Sequence, residues 1–80
     1  MTRTELRDAI SAYRRRALIP TYLSDVLVGI EGKIQPETTR ADAQSLAAGF
    51  VGMVAVARVE RWGDLAIFPR SIRIVDGSPA

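Results

Sequence analysis

Thr39 to Trp62 reads TRADAQSLAAGFVGMVAVARVERW. It is the longest apolar-rich run of the chain, no proline interrupts it, and the twelve residues from Leu46 to Ala57 carry no charge. Thr39 followed three positions on by Asp42 is a helix-start box. The hydroxyl can accept from the Asp42 amide, and the carboxylate sits at the positive end of the helix dipole. Ala43, Leu46, Ala47, Phe50, Val54 and Ala57 then recur at helical spacing. Arg58 and Arg61 fall in the last turns, and Gly63 suits the position just past the end. The spacing therefore predicts a helix over about residues 40–61. Its opposite face carries Ala48, Val51, Ala55 and Val59, so it is apolar on every side, which implies burial on more than one side.

Gly49 and Gly52 each cost ~1 kcal/mol in a helix interior. In a helix they mark places where another backbone comes close. The β-branched Val51, Val54, Val56 and Val59 leave a rival open: strands from Val51 to Glu60 and from Leu65 to Val75, joined through Trp62-Gly63-Asp64. A membrane span is the weaker reading, because the uncharged run falls short of the ~20 residues a spanning helix needs.

Upstream, Thr2 and Glu5 form another start box, and Leu6, Ile10, Tyr13 and Ala17 share a stripe. Glu5 and Asp8 sit early and Arg14, Arg15 and Arg16 late, which complements the dipole at both ends. A helix is expected over 3–16. The arginine triplet reads first as a helix C-terminal charge cluster and second as a contact for phosphate or an acidic partner. Pro20 ends that helix and can open the next. Leu23, Val26, Leu27 and Ile30 follow i, i+3, i+4, i+7, so a second helix is expected over 20–31, terminated by Gly32. A strand over 26–30 is the alternative. Residues 32–38, GKIQPET, read as a polar loop broken by Pro36.

Downstream of Gly63, Leu65-Ala66-Ile67-Phe68 and Ile72-Arg73-Ile74-Val75 are short β-rich runs on either side of a Pro69-Arg70 turn. They predict a hairpin of strands 65–68 and 71–75, with Ile72 and Ile74 facing one side. A frayed tail follows from about 76. The expected fold is thus a single small domain over 1–80, α+β but mostly α: three helices, then a C-terminal β-hairpin.

Composition narrows function by subtraction. A chain of 80 residues buries only about 60% of its unfolded surface, so it is marginal without support. It has neither Cys nor His, which removes disulfides, thiolate metal sites, the commonest metal ligand and the usual general base. Tight packing or oligomerisation remains as the support. Eleven basic residues, ten of them arginine, against nine acidic give a net charge of +2, short of the excess typical of nucleic-acid binders. The opening residues do not read as a signal peptide, and the expectation is a cytoplasmic protein.

Nucleophilic catalysis needs a nucleophile beside a base with an orienting third group. There is no His, Cys or Asn, and Ser11, Ser24, Ser45, Ser71 and Ser78 lie in no nucleophile-elbow pattern. The glycines form neither a phosphate loop nor a dinucleotide fingerprint. No catalytic, cofactor or metal residues are assigned, and no enzyme activity or small-molecule substrate is expected.

The remaining class is a non-catalytic binding protein that works through protein–protein contact, with itself as the first partner. Two short helices and a hairpin cover part of the central helix, and a partner helix suits the rest. The expected interface is Gly49, Phe50, Gly52, Met53, Val56 and Trp62, with Trp62 either an interface anchor or a lid on the core. A monomer whose central helix is simply the core is the alternative. A phage or bacterial assembly or host-targeting factor would fit such a homo-oligomeric protein.

One local pattern points elsewhere. The segment VARVERWGDLAIFPRSIRI, Val56 to Ile74, resembles the end of a recognition helix and the wing of small excisionase-type winged-helix proteins. The residues carrying the resemblance are Arg58, Arg61, Trp62, Gly63, Leu65, Arg70, Arg73 and Ile74. It implies DNA as the partner, with Arg58, Arg61, Arg70 and Arg73 as candidate nucleic-acid contacts and Arg70 and Arg73 on phosphates beside a groove. DNA binding is therefore the alternative function. Protein contact comes first because Met53, Val54, Ala55 and Val56 display apolar groups and not the donors and acceptors that read base edges.

Overall fold

The helix starts follow their caps. In the computed structural model, which describes residues 1–16, 19–59 and 71–78 apart from the side chains of Arg58 and Val59, three helices form. They are α1, Arg3–Arg16; α2, Thr21–Gly32; and α3, Arg40–Val59. At α1 the Glu5 amide donates to Thr2 Oγ1 at 3.1 Å and the Thr2 amide donates to Glu5 Oε1 at 2.9 Å. This is the reciprocal capping box. The Thr2 amide, followed by its hydroxyl, holds the Glu5 carboxyl below its ordinary value.

The sign of the pH effect follows. Folding favours ionised Glu5, so its contribution is complete above the ordinary carboxylate range and is lost as pH falls through the lowered value. Thermal melts of wild type and Glu5→Gln are expected to differ at pH 7 and to converge toward pH 3. A gap that stays constant over that interval contradicts the assignment.

At α2, Pro20 is the residue before the first turn, and its carbonyl accepts from the Leu23 and Ser24 amides, both at 3.1 Å. The helix ends at Gly32 without a left-handed residue: Lys33 follows at φ −83° and ψ −9°. At α3 the Asp42 amide donates to Thr39 Oγ1 at 3.2 Å, as the Thr-Asp spacing implies.

The core lies where α1, α2 and α3 meet. Leu6, Ile10 and Tyr13 come from α1 and Leu23 and Leu27 from α2; Ala43, Ala47, Phe50, Val54 and Ala57 come from α3. The α3 stripe is mostly alanine and valine, which lets the other helices approach, with Phe50 filling the centre. Tyr13 meets Phe50 edge-on, 5.8 Å between ring centroids and 70° between planes, a favoured aromatic geometry. Burial pushes the Tyr13 phenol above its ordinary pKa. Arg14 locks α1 to the end of α2, its Nε and Nη2 donating to Glu31 Oε2 at 3.0 and 2.6 Å. One member of the arginine triplet is thereby an internal clamp, while Arg15 and Arg16 are exposed.

Residues 32–38 are less polar in effect than in composition, because Ile34 is a core residue at 3% exposure. Their turn is closed by Thr38, whose amide donates to Gln35 O at 3.0 Å and whose hydroxyl donates to Lys33 O at 2.9 Å.

The C-terminal segment corrects the expected fold class. Residues 71–75 form no strand, and no β-strand exists among the described residues. The other expected strand, 65–68, lies outside them, so the described fold is α and not α+β. The physical reason is that the backbone groups of this segment are bonded to other elements instead of to a neighbouring strand. Gln44 Nε2 donates to Ile72 O at 2.7 Å, and the Ile74 amide donates to Gln44 Oε1 at 2.8 Å. The Met1 ammonium donates to Arg73 O, and the Val75 amide donates to Met1 O, both at 3.0 Å.

Of the tail expected to fray, residues 76–78 are bonded to the helix starts, and residues 79–80 lie outside the described residues. The Arg3 amide donates to Asp76 Oδ1 at 2.8 Å, and the Arg40 amide donates to Ser78 O at 2.9 Å. Residues 71–78 thus form a strap across the starts of α1 and α3.

Candidate interaction surface

Because α3 is a helix with one buried stripe, its flanks are open in different degrees. Along one flank Ser45, Gly49, Gly52 and Val56 follow i, i+4, i+7, i+11, with Met53 beside them. Gly49 is half-buried, and a Cβ built on it would lie 3.5 Å from Ile30 Cδ1 of α2. Gly49 therefore faces α2 of the same chain at ordinary van der Waals distance, with room for a Cβ. Gly52 is exposed, and a Cβ there would meet nothing within 4 Å. Met53 is half-buried and Val56 is exposed. Of the six residues expected at an interface, Phe50 is the one the core takes, at 1% exposure. Trp62 lies outside the described residues.

The complementary flank belongs to α2. Tyr22, Val26 and Gly29 follow i, i+4, i+7 on its outer side; Tyr22 is 55% and Val26 44% exposed. A Cβ on Gly29 would likewise meet nothing within 4 Å. Helical spacing alone places Val26 in the core stripe. Leu23, Leu27 and Ile34 occupy that stripe instead, and the half-buried Ile30 borders it. The Ile30–Gly49 contact is the seam between the helices, and the two open flanks lie along it. The exposed or half-buried apolar positions to either side of that contact are Tyr22, Val26 and Ile30 on α2 and Gly52, Met53 and Val56 on α3. The sequence signal for the α2 positions is an aromatic and a β-branched residue four apart beside the main stripe.

The other end of this seam is polar. Lys33, Thr38, Asp42, Ser45 and Leu46 line a depression of about 310 Å³. A second depression of about 210 Å³ is lined by Arg3, Thr4, Arg7, Ile34, Gln35 and Pro36. Arg3 is already committed there: its Nη1 donates to Pro36 O at 2.6 Å and to Thr38 O at 2.7 Å, and its Nε lies 3.5 Å from Asp76 Oδ2. Among the described residues no group of acidic side chains is arranged to hold a metal ion. No helix among them is long and apolar enough to cross a membrane.

Of the arginines that resemble a DNA-reading set, Arg61 and Arg70 lie outside the described residues, and Arg58 is described only in its backbone. Arg73 is exposed on the strap. The described residues therefore show no face shared by the four. Gln44 and Arg3, which organise the strap, are not singled out by sequence reasoning.

No protein-family model matches the chain, and neither a curated protein nor a solved structure does.

Proposed function

We propose that this chain is a non-catalytic binding protein whose working surface is the α2/α3 face, with a second copy of itself as the partner. The supporting observation is the pairing of two exposed apolar flanks along one helix seam, with an exposed, unobstructed glycine on each helix at Gly29 and Gly52. Exposed apolar side chains scattered singly need no explanation, but a contiguous set on two adjoining helices is costly in water. Bare glycine backbone lets a second helix come nearer than side chains allow, and a self-complementary patch closes as a symmetric dimer. An assembly or targeting factor of phage or bacterial type is compatible with such a surface.

Light scattering tests the reading. Wild type is expected to run as an oligomer at tens of micromolar. Gly52→Arg, which adds a charge at a position where a Cβ meets nothing within 4 Å among the described residues, is expected to run as a folded monomer. A wild type that is already monomeric at that concentration overturns the reading. Of the four arginines of the DNA-binding alternative, only the Arg73 side chain is among the described residues.

A further inference from the structure

We infer that the groove between the starts of α1 and α3 is a receptor for an extended peptide of the pattern Ile-x-Ile-x-Asp-Gly, and that it takes this segment from a second copy of the chain as well as from its own. The resident occupant is the strap. Its described backbone bonds run to residues at least 28 positions away, so the bonds described for it are long-range ones. It is bound by the rest of the fold as a separate peptide would be.

Each feature of the pattern has a partner. Extended peptides are recognised by main-chain bonds together with pockets for alternate side chains. Gln44 supplies the main-chain recognition through both halves of its amide, taking the carbonyl of Ile72 and the amide of Ile74. Ile74 is buried in the core at 3% exposure and Ile72 packs on its edge, while Arg73 and Val75 between and after them point outward and are exposed. Asp76 accepts from the Arg3 amide in the first turn of α1, where a negative charge is favoured.

Gly77 is demanded by two observations. Its φ is +109°, and a Cβ would lie 2.9 Å from the Arg40 amide nitrogen and 3.2 Å from Arg40 Cα. Those are backbone atoms at the start of α3 and cannot swing aside. Ser78 then closes the set by accepting from the Arg40 amide.

All the groups that do the recognising lie outside the strap. A second copy carries the same pattern, so docking in trans repeats every contact made in cis. What favours the cis form is effective concentration, of the order of millimolar for a tethered segment. Exchange of identical elements between copies is a low-cost route to dimers. This surface is distinct from the α2/α3 face and lies on another flank of α3.

The test is complementation between full chains, each carrying Gly52→Arg to silence the α2/α3 face. One adds Gly77→Val, which spoils the strap and leaves the groove. The other adds Gln44→Leu, which spoils the groove and leaves the strap. Each alone is expected to be monomeric, and the mixture is expected to form a mixed dimer, read by light scattering or by energy transfer between labels. If either chain fails to fold by circular dichroism, a labelled SIRIVDGS peptide replaces it. Anisotropy is then expected to show at least tenfold tighter capture by full-length Asp76→Ala chain than by wild type. A folded mixture that stays monomeric, or a peptide captured no better by the loosened chain than by wild type, overturns the inference. Failure of the self-association reading shows separately, as monomeric wild type with complementation intact.

Discussion

Phe50→Ala is expected to lower the unfolding free energy by about 3–5 kcal/mol. Phe50 is fully buried at 1% exposure. Its neighbours along the α3 stripe are Ala47, Val54, Ala43 and Ala57, too small to move into the space. On the α1 side Tyr13 would lose its edge-on partner at 5.8 Å. The cost therefore includes both the lost transfer of an aromatic ring and a cavity that the surroundings cannot collapse. A domain of this size has roughly 5–10 kcal/mol to lose, so about a third or more of its stability is expected to go. Urea titration followed by circular dichroism measures it. A midpoint shift equivalent to less than about 1 kcal/mol would show that Phe50 is not the centre of the core.

Gln44→Leu is expected to cost about 2–6 kcal/mol, from two main-chain groups left without partners at about 1–3 kcal/mol each. Leucine has nearly the volume of glutamine and keeps the helix propensity of the site, so the loss comes from the two bonds and not from packing. The effect should be local. Amide exchange at Ile74 is expected to accelerate strongly, while amides in the middle of α1 and α2 keep their protection. Uniform acceleration through all three helices would mean that the strap is part of the global fold and not a docked segment.

Much of this architecture is legible in one dimension. The two start boxes, Thr2 with Glu5 and Thr39 with Asp42, act through residues three apart, so their hydrogen bonds follow from local spacing alone. The stripes Leu6–Ile10–Tyr13 and Ala43–Ala47–Phe50–Val54–Ala57 are equally local, because helical geometry carries sequence period directly into a face. Pro20 separates α1 from α2 for the same reason: its missing amide and fixed φ act wherever it stands.

The C-terminal segment departs from its sequence pattern because its backbone partners are not local. An extended β-branched run such as Ile72-Arg73-Ile74-Val75 needs donors and acceptors, and sequence pattern offers a neighbouring strand as the default. Here Gln44, 28 residues upstream of Ile72, takes that place with a side-chain amide. A single glutamine in an apolar helix carries no mark of this use.

The candidate surface divides in the same way. Gly52, Met53 and Val56 are recognisable because the apolar run is too long for the fold to cover. Phe50 and Gly49 lie in the same run and go to the core and to Ile30, a distinction that depends on where α1 and α2 dock. Likewise Val26 shares a stripe with Leu23 and Leu27, but the docking angle of α2 turns it outward.

What the amino-acid order determined by itself was the helix starts and the apolar stripes, since each depends on interactions within about a turn of chain; that Val51 to Val59 is helix and not strand came from the structure. Tertiary structure alone decided which side of α3 is core and which is open, and that residues 71–78 lie as a strap under Gln44, Arg3 and Arg40. Those outcomes depend on groups brought together from opposite ends of the chain, where no spacing rule reaches.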